Sequence, residues 1–374
     1  MRNKEMTIFK ALGIMAVVMG HSGYSVSKTF PPYSFHMALF IFASGYFYKD
    51  EYEENLKLFF KKRFKSIIVP YFLYNLFFAV VTYLIFIKYN LSLGTPPDFN
   101  NMILTLKNFF VQPFVDGHQY FLYLSAWFMI YLFTVQIAFI LFYKSLKKIT
   151  LNKYIHLIIF TLIAIISTYT SINFRNMFTG TTLIIVQITL RLMFGLFFFY
   201  FGLFYKTTLE NKNIFRTSIL ILIIIIQLRL IRFWDINYTL VFMDFKGHVL
   251  LPLITSLTGI YVYMFLAKAL CTVLPNKDII YNIGDNTLHI MSNHLFVFFI
   301  LNIFIVKIYN IDIINLNDVS YKFNIDSFWP LYFFCGVLIP TYIPVIFKKV
   351  AKPLYNWELT VENWQLLLKI TDFL

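Results

Sequence analysis

Long apolar segments separated by short charged ones are the feature that most limits what this chain can fold into. A helix that crosses a bilayer needs about 20 mostly apolar residues. Inside lipid, backbone polar groups must be satisfied within the segment, so such segments form helices. Ten segments approach the required length: 7–24, 35–48, 67–88, 122–143, 154–172, 182–205, 214–233, 249–271, 286–307 and 328–348. The sequence therefore predicts an all-α, polytopic transmembrane bundle of about ten membrane-spanning helices.

The overall composition favours the same interpretation. Hydrophobic residues make up 59% of the chain and charged residues 13%, against about 25% charged residues in soluble domains. The first apolar segment follows Arg2 and Lys4, but no small-residue cleavage site comes after it, so we interpret it as a retained helix. The second segment is short and is expected to be tilted or partly broken.

The distribution of basic residues predicts the orientation. With the N-terminus inside, most of the 32 Lys and Arg residues face the cytoplasm, as the positive-inside rule requires. Both ends are therefore expected in the cytoplasm, with a membrane domain over 1–350 and an amphipathic tail over 351–374. The long outer loop 89–121 is expected to be functional or partly folded. The net charge of +14 then requires no nucleic-acid partner.

Ionisable residues inside the predicted spans mark candidate functional positions, because such groups are costly in a membrane. The two cysteines form no disulfide framework, and no metal site is predicted. Lys10 and His21 are separated by about three helical turns, so they share one face about 16 Å apart along the axis. This pattern suits a basic group that meets a donor phosphate and an imidazole that performs acid–base chemistry. A snorkelling lysine beside an interfacial histidine is the alternative.

The second predicted helix carries another histidine at a comparable depth. His36 lies near its outer end, level with His21, so the two imidazoles are expected in one site. Ser44 and Gly45 are small enough to allow close helix approach. A packing motif with one hydrogen-bonded histidine is the alternative interpretation of this segment.

Several short motifs together resemble the acyltransferase-three family of membrane O-acyltransferases, which modify bacterial polysaccharides and related surface molecules. The resemblance is dense over about 7–75 and weaker beyond it. The residues that carry it are Lys10–Ile14, Val17–Ser22, Phe35–Phe40, Ser44–Phe47, Lys61–Phe64, Pro70–Tyr71, Trp127–Met129, Gly284 and Asn286–Leu288 running to His294. The sequence departs from the family where Thr7 replaces a common acidic residue and Ala38 replaces the usual proline.

The resemblance implies a basic residue separated by ten residues from a catalytic histidine, which Lys10 and His21 match. It also implies transfer of an acyl group, expected to be acetyl, from cytoplasmic acetyl-CoA to a hydroxyl of an extracytoplasmic or lipid-linked glycan. The implied partners are membrane lipid, acyl-CoA and the glycan acceptor, with acetyl-CoA as a co-substrate and no permanently bound cofactor. A multi-pass protein of the bacterial plasma membrane is expected, with a homo-oligomer as one option.

We assign expected roles to ten residues on this basis. His21 is the general base for the acceptor hydroxyl or carries the acyl group briefly, and His36 orients it or binds the acceptor. Lys10, Arg63 and Arg191 are expected at the donor, although an arginine such as Arg63 is more often a positive-inside anchor. Arg191 is expected to bind a phosphate or a carbonyl group. The expected acceptor-side or structural polar residues are Ser44, Tyr46, Trp127, Asn293 and His294. Four other histidines are interpreted as loop or interface residues: His118, His156, His248 and His289.

Two other classes of function stay open from the sequence alone. A basic protein of ten helices can be a transporter or flippase for a glycan or small metabolite, although no two-fold repeat with matching broken helices is visible. A membrane module without catalysis, such as a sensor, is the third class. Consumption of labelled acetyl-CoA discriminates the enzyme from both.

Overall fold

The computed structural model describes residues 3–23, 31–274, 279–318 and 320–355, with side chains described as far as residue 344. Fifteen α-helices are present in these ranges, and two isolated β-bridges, but no strand, occur there. The helices are α1 (Lys4–His21), α2 (His36–Tyr46), α3 (Glu51–Glu54), α4 (Leu56–Arg63), α5 (Val69–Tyr89), α6 (Met102–Phe110), α7 (Gln112–Val115), α8 (Trp127–Lys147), α9 (Lys153–Phe174), α10 (Gly180–Phe204), α11 (Thr217–Phe233), α12 (Leu251–Val273), α13 (Ile279–Asp285), α14 (Thr287–Tyr309) and α15 (Ile325–Tyr355).

Each of the ten predicted segments coincides with one of the longer helices. Six stretches are long and apolar enough to cross a membrane, as judged over the described ranges: Leu56–Tyr89, Phe121–Lys147, Lys153–Met177, Gly180–Leu209, Leu251–Val273 and Thr287–Tyr309. The protein is therefore helical and crosses the membrane several times. The number of ten spans and the cytoplasmic location of both ends stay predictions. Helix α2 has 11 residues, in line with its short predicted segment. Helix α15 continues past the predicted boundary at 350, and residues 356–374 lie outside the described part of the chain.

Two ion pairs near helix ends mark the two ends of the bundle, which we name from the predicted orientation. At the outer end, Arg175 after α9 pairs with Asp244 after α11 at 2.9 Å. At the inner end, Lys147 of α8 pairs with Glu53 at 2.7 Å. Because α1 begins at the inner end, its last residue lies at the outer one.

The long outer loop is partly folded, as predicted. It contains the two short helices α6 and α7. Its Gln119 side chain is buried and donates to the Asn75 Oδ1 of α5 at 2.7 Å. The loop therefore packs back onto the bundle and brings residues 113–120 towards α8.

Helices α2 and α10 cross with their backbones in contact, which confirms that Gly45 allows close approach. A Cβ added at Gly45 would overlap the Phe199 carbonyl group, and one added at Gly202 would overlap the Phe42 carbonyl. The neighbouring Ser44 accepts a hydrogen bond from Gln136 Nε2 of α8 at 2.9 Å. This crossing holds the helix that carries His36 against the centre of the bundle.

Gly202→Ala is expected to destabilise the protein by about 1–3 kcal/mol, because backbone atoms cannot yield as side chains do. The measurement is the thermal unfolding midpoint of the purified protein. Gly13→Ala is the matched control, since its new methyl group would meet only Phe40 and Leu39 side-chain atoms, at 3.3–3.5 Å. Equal midpoints for the two variants would contradict the proposed backbone contact.

Candidate active site

The end of α1 presents His21 at the outer end of the bundle. Asn3 caps the start of this helix, where its Oδ1 accepts from the Met6 backbone N–H at 2.9 Å. The helix stops at His21, because Gly23 follows with a φ of 81°, a left-handed conformation that favours glycine. Gly20 has no side chain, so Tyr33 packs closely on the last turn. The His21 ring is thus fixed against the segment that precedes α2.

That segment places Tyr33 between two imidazoles. The Tyr33 hydroxyl lies 3.4 Å from His21 Nδ1, and its ring centroid lies 5.2 Å from that of His36. His36 Nδ1 donates a hydrogen bond to the Pro32 carbonyl. Since a carbonyl only accepts, Nδ1 carries the proton and the Nε2 of a neutral His36 is left as an acceptor.

A third histidine packs behind His21 from α14. The ring centroids of His21 and His294 lie 5.2 Å apart, with the planes at 44°. His294 is fully buried, and its Nδ1 donates to the Ile290 carbonyl at 2.8 Å. Its Nε2 is buried and has no hydrogen-bond partner within the described ranges. An uncompensated polar atom of this kind is costly and points to a functional position.

His21 and His36 line a cavity of about 190 Å³ at the outer end, which we name the histidine cavity. His21, Tyr33 and His36 form one wall, and Trp127 forms part of another. His118 of the outer loop also lines it. Burial lowers the pKa of the His118 imidazole, and the nearby Arg191 lowers it further, while Asp116 opposes this shift. The cavity therefore offers several imidazole nitrogens as proton acceptors. Among the residues described, no group of three side chains could hold a metal ion.

The basic residues expected at the donor are not brought to this cavity as one cluster. Arg191 of α10 donates to the Val115 carbonyl of the outer loop and lies 5.7 Å from the Trp127 ring. Arg63 of α4 lies over the rings of Tyr52 and Phe59 instead. Arg191 thus bonds a carbonyl of the loop 89–121. The predicted orientation places this loop on the side opposite to the expected cytoplasmic donor. The expected grouping of Arg191 with the donor is therefore not supported by its contacts.

Lys10 is partly exposed on α1, between the inner end and His21. Its separation from His21 along the helix axis is about 16 Å at 1.5 Å per residue. Both residues lie on the face expected from the sequence, since α1 is one uninterrupted helix from Lys4 to His21.

Two of the expected polar residues serve other contacts. At the inner end, the Tyr46 hydroxyl donates to Glu210 and accepts from Asn3 Nδ2, so it ties α2 to α1 and to the segment after α10. Asn293 donates to the His289 carbonyl at 2.8 Å and lines a separate apolar cavity of about 570 Å³ between α5, α14 and α15. Their contacts support the structural interpretation rather than an acceptor-side role.

Tyr33 carries no local signal in the sequence, and His118 was expected to be a loop or interface residue. His118 follows a glycine at a φ of 69°, and Gly117 packs directly on the backbone of Trp127. The pairing of Asp116 and Gly117 before a histidine was the one available signal, because it indicates a tight turn. Nothing local in the sequence shows that this turn reaches the cavity.

Arg191→Met is expected to destabilise the outer loop by about 1–3 kcal/mol, because it leaves the Val115 carbonyl without its donor. Arg191→Lys should recover little of this loss, since lysine lacks the planar fork that bonds the carbonyl and stacks on Trp127. The measurement is the rate of proteolysis within residues 111–120 in reconstituted protein. Full recovery by lysine would contradict the stacked geometry.

Comparison with known proteins gives one match. A family described as an acyltransferase domain matches residues 3–349. No curated protein and no solved structure shows a significant match to the chain.

Proposed function

Because the chain belongs to this acyltransferase family over residues 3–349, we propose that it transfers an acetyl group from acetyl-CoA to a hydroxyl of an extracytoplasmic or lipid-linked glycan. Its helices and its family make it a membrane acyltransferase in general terms. The donor, the acceptor and a bacterial plasma membrane are parts of the proposal. One observation carries it: His21, His36 and Tyr33 line one cavity at the end of the bundle opposite to the start of α1.

The proposed reaction needs one base at the acceptor hydroxyl. The hydroxyl oxygen forms a bond to the acyl carbonyl carbon as the carbon–sulfur bond breaks and CoA leaves as the thiolate. His21 accepts the hydroxyl proton and passes it to the sulfur, so the imidazole ends neutral and the products are the ester and the free thiol. The acyl group resting briefly on His21 is the two-step version of the same chemistry.

The neighbouring groups support this role for His21. Tyr33 lies against its Nδ1, which leaves Nε2 for the reacting hydroxyl. His294 packs on the ring from behind and limits its rotation. His36 faces the same cavity with an Nε2 that can accept a hydrogen bond from the acceptor. Holding reacting groups in one geometry is a large part of enzymatic rate enhancement.

The donor is proposed to enter from the inner end. CoA carries phosphates, which bind lysine and arginine side chains. Lys10 and Arg63 lie on the inner half of α1 and at the end of α4, whereas Arg191 is engaged with the outer loop. We therefore assign Lys10 and Arg63, but not Arg191, to the donor.

The test is to incubate the purified protein in lipid nanodiscs with acetyl-CoA labelled in the acetyl group and with membranes of the source organism as acceptor. Label that moves to a saccharide product as a base-labile ester, with stoichiometric release of thiol, supports the proposal. Acetyl-CoA that remains unchanged would reject the proposed acetyl transfer. The transporter interpretation would then be the alternative to test. Label in a product other than a sugar would reject the glycan acceptor while it leaves the acyltransferase intact.

A further inference from the structure

A second and larger cavity lies directly beside the histidine cavity at the outer end. Its volume is about 410 Å³, within the range of about 300–1,000 Å³ typical of small-molecule sites. Met19 and Gly20 of α1 and Tyr33 line one side. Tyr33 also lines the histidine cavity, so the two cavities adjoin at this residue. A ligand in the larger cavity therefore lies against a residue whose hydroxyl is 3.4 Å from His21 Nδ1.

The opposite side of this outer cavity is built around an exposed indole. Trp234 follows the last residue of α11, and 45% of its surface is exposed. Gly247 packs on its six-membered ring, since a Cβ added there would lie 2.7 Å from Cε3. The Trp234 ring therefore packs on the loop at Gly247 and also lines the cavity. A rigid aromatic surface held in this way binds a ligand at a low cost in conformational entropy.

Two polar side chains next to the indole complete the wall. Asp235 and Asn237 both line the cavity. Asp235 Oδ1 accepts from the Asn237 backbone N–H at 3.1 Å, and Oδ2 accepts from Lys246 at 3.1 Å. The Asn237 side chain also donates from its Nδ2 to Asp235 Oδ1 at 3.3 Å. These bonds hold the carboxylate, whose remaining lone pairs and the Asn237 Oδ1 can bond hydroxyl groups. A pocket with one aromatic platform and a few fixed polar groups is the usual form of an oriented ligand site.

We propose that this outer cavity binds a pyranose ring of the acceptor, with the apolar C–H face of the sugar on Trp234 and its hydroxyls bonded to Asp235 and Asn237. The inference rests on the proposed function and deepens it, because it names the acceptor subsite. A sugar seated there directs one hydroxyl past Tyr33 towards His21. A phosphate or carboxylate ligand fits less well, since the cavity wall contributes the Asp235 carboxylate and the nearby Lys246 is already paired with it.

The test compares four proteins in cells of the source organism that lack their own copy: the wild type, Trp234→Ala, Trp234→Phe and Asn237→Ala. Membranes receive labelled acetyl-CoA, and base-labile label is measured in the saccharide fraction. Trp234→Ala is expected to lower this label at least about tenfold, equivalent to about 1.4 kcal/mol of acceptor binding. Trp234→Phe should restore at least half of the activity, and excess saccharide acceptor should partly rescue Trp234→Ala, which a folding defect would not allow. Asn237→Ala should lower the label in the saccharide fraction by a few-fold.

Phe233→Ala is the matched control, because Phe233 is the adjacent aromatic residue, is 67% exposed and does not line the cavity. It should transfer label as the wild type does. Wild-type transfer by both Trp234→Ala and Asn237→Ala would overturn the subsite. Wild-type membranes that consume no labelled acetyl-CoA would instead reject the proposed function itself, so the two failures can be distinguished.

Discussion

His21→Ala is expected to lower the rate of acetyl transfer by about 10²- to 10⁴-fold, the range that a general base contributes. The imidazole lies in the cavity wall at the end of α1, and its Nδ1 faces the Tyr33 hydroxyl. His36 also lines this cavity, but its Nδ1 is bonded to Pro32, which holds its ring in place. The His36 imidazole therefore cannot replace that of His21 in the variant. If the acyl group rests on His21, the loss will reach the limit of detection.

The measurement is transfer of label from acetyl-CoA by the purified variant in nanodiscs, with the amount of folded protein determined by size-exclusion chromatography. His248→Ala is the control, since His248 is an exposed histidine of the outer end that lines neither cavity. A His21→Ala protein that keeps more than one tenth of the wild-type rate would remove His21 from the mechanism.

Substitution of His294 is expected to lower kcat by about 10- to 100-fold. The KM for acetyl-CoA and the KM for the acceptor should change little. Its ring packs on His21 from behind and is absent from the wall of the histidine cavity, so it acts through His21 rather than on substrate. Displacing a reacting group by about 1 Å can cost about 100-fold in rate. We therefore class His294 as a positioning residue.

Two substitutions separate its two nitrogens. His294→Asn retains a donor close to Nδ1 and so keeps the bond to the Ile290 carbonyl, but it lacks the buried Nε2. His294→Gln places its amide near the position of Nε2 instead. If Nε2 matters to the reaction, the glutamine variant will be the more active. Greater activity of the asparagine variant would show that the bond to the Ile290 carbonyl, within α14, alone explains the effect. Thermal midpoints measured in parallel report the contribution of that bond to stability.

Most of the helical framework could be predicted from the sequence, because burial in lipid requires apolar runs of nearly constant length. All ten predicted segments are helices, and Gly45 proved to be a contact point between helices. The segment at 35–48 was expected to be short, and α2 is. The number of spans is harder to predict, since a helix such as α11, with 17 residues, is near the minimum length for crossing.

The candidate site could be predicted only in part. His21 and His36 were expected at one depth because each lies near the outer end of its helix, and helix geometry converts sequence position into depth. The contact that Arg191 makes could not be predicted, because its sequence position gives its depth but not the partner that its guanidinium meets. That partner is the Val115 carbonyl, which is 76 residues away along the chain.

By itself the sequence determined an all-helical membrane protein, the residues at its helix ends and the pairing of Lys10 with His21 on one face. These properties follow from hydrophobicity and helical period, which are local. Only the tertiary structure decided that His294 packs on His21, that Tyr33 lines two adjoining cavities and that Trp234 lines the larger of them. Such contacts depend on how loops fold back over the bundle, and a loop has no repeating pattern that encodes its distant partners.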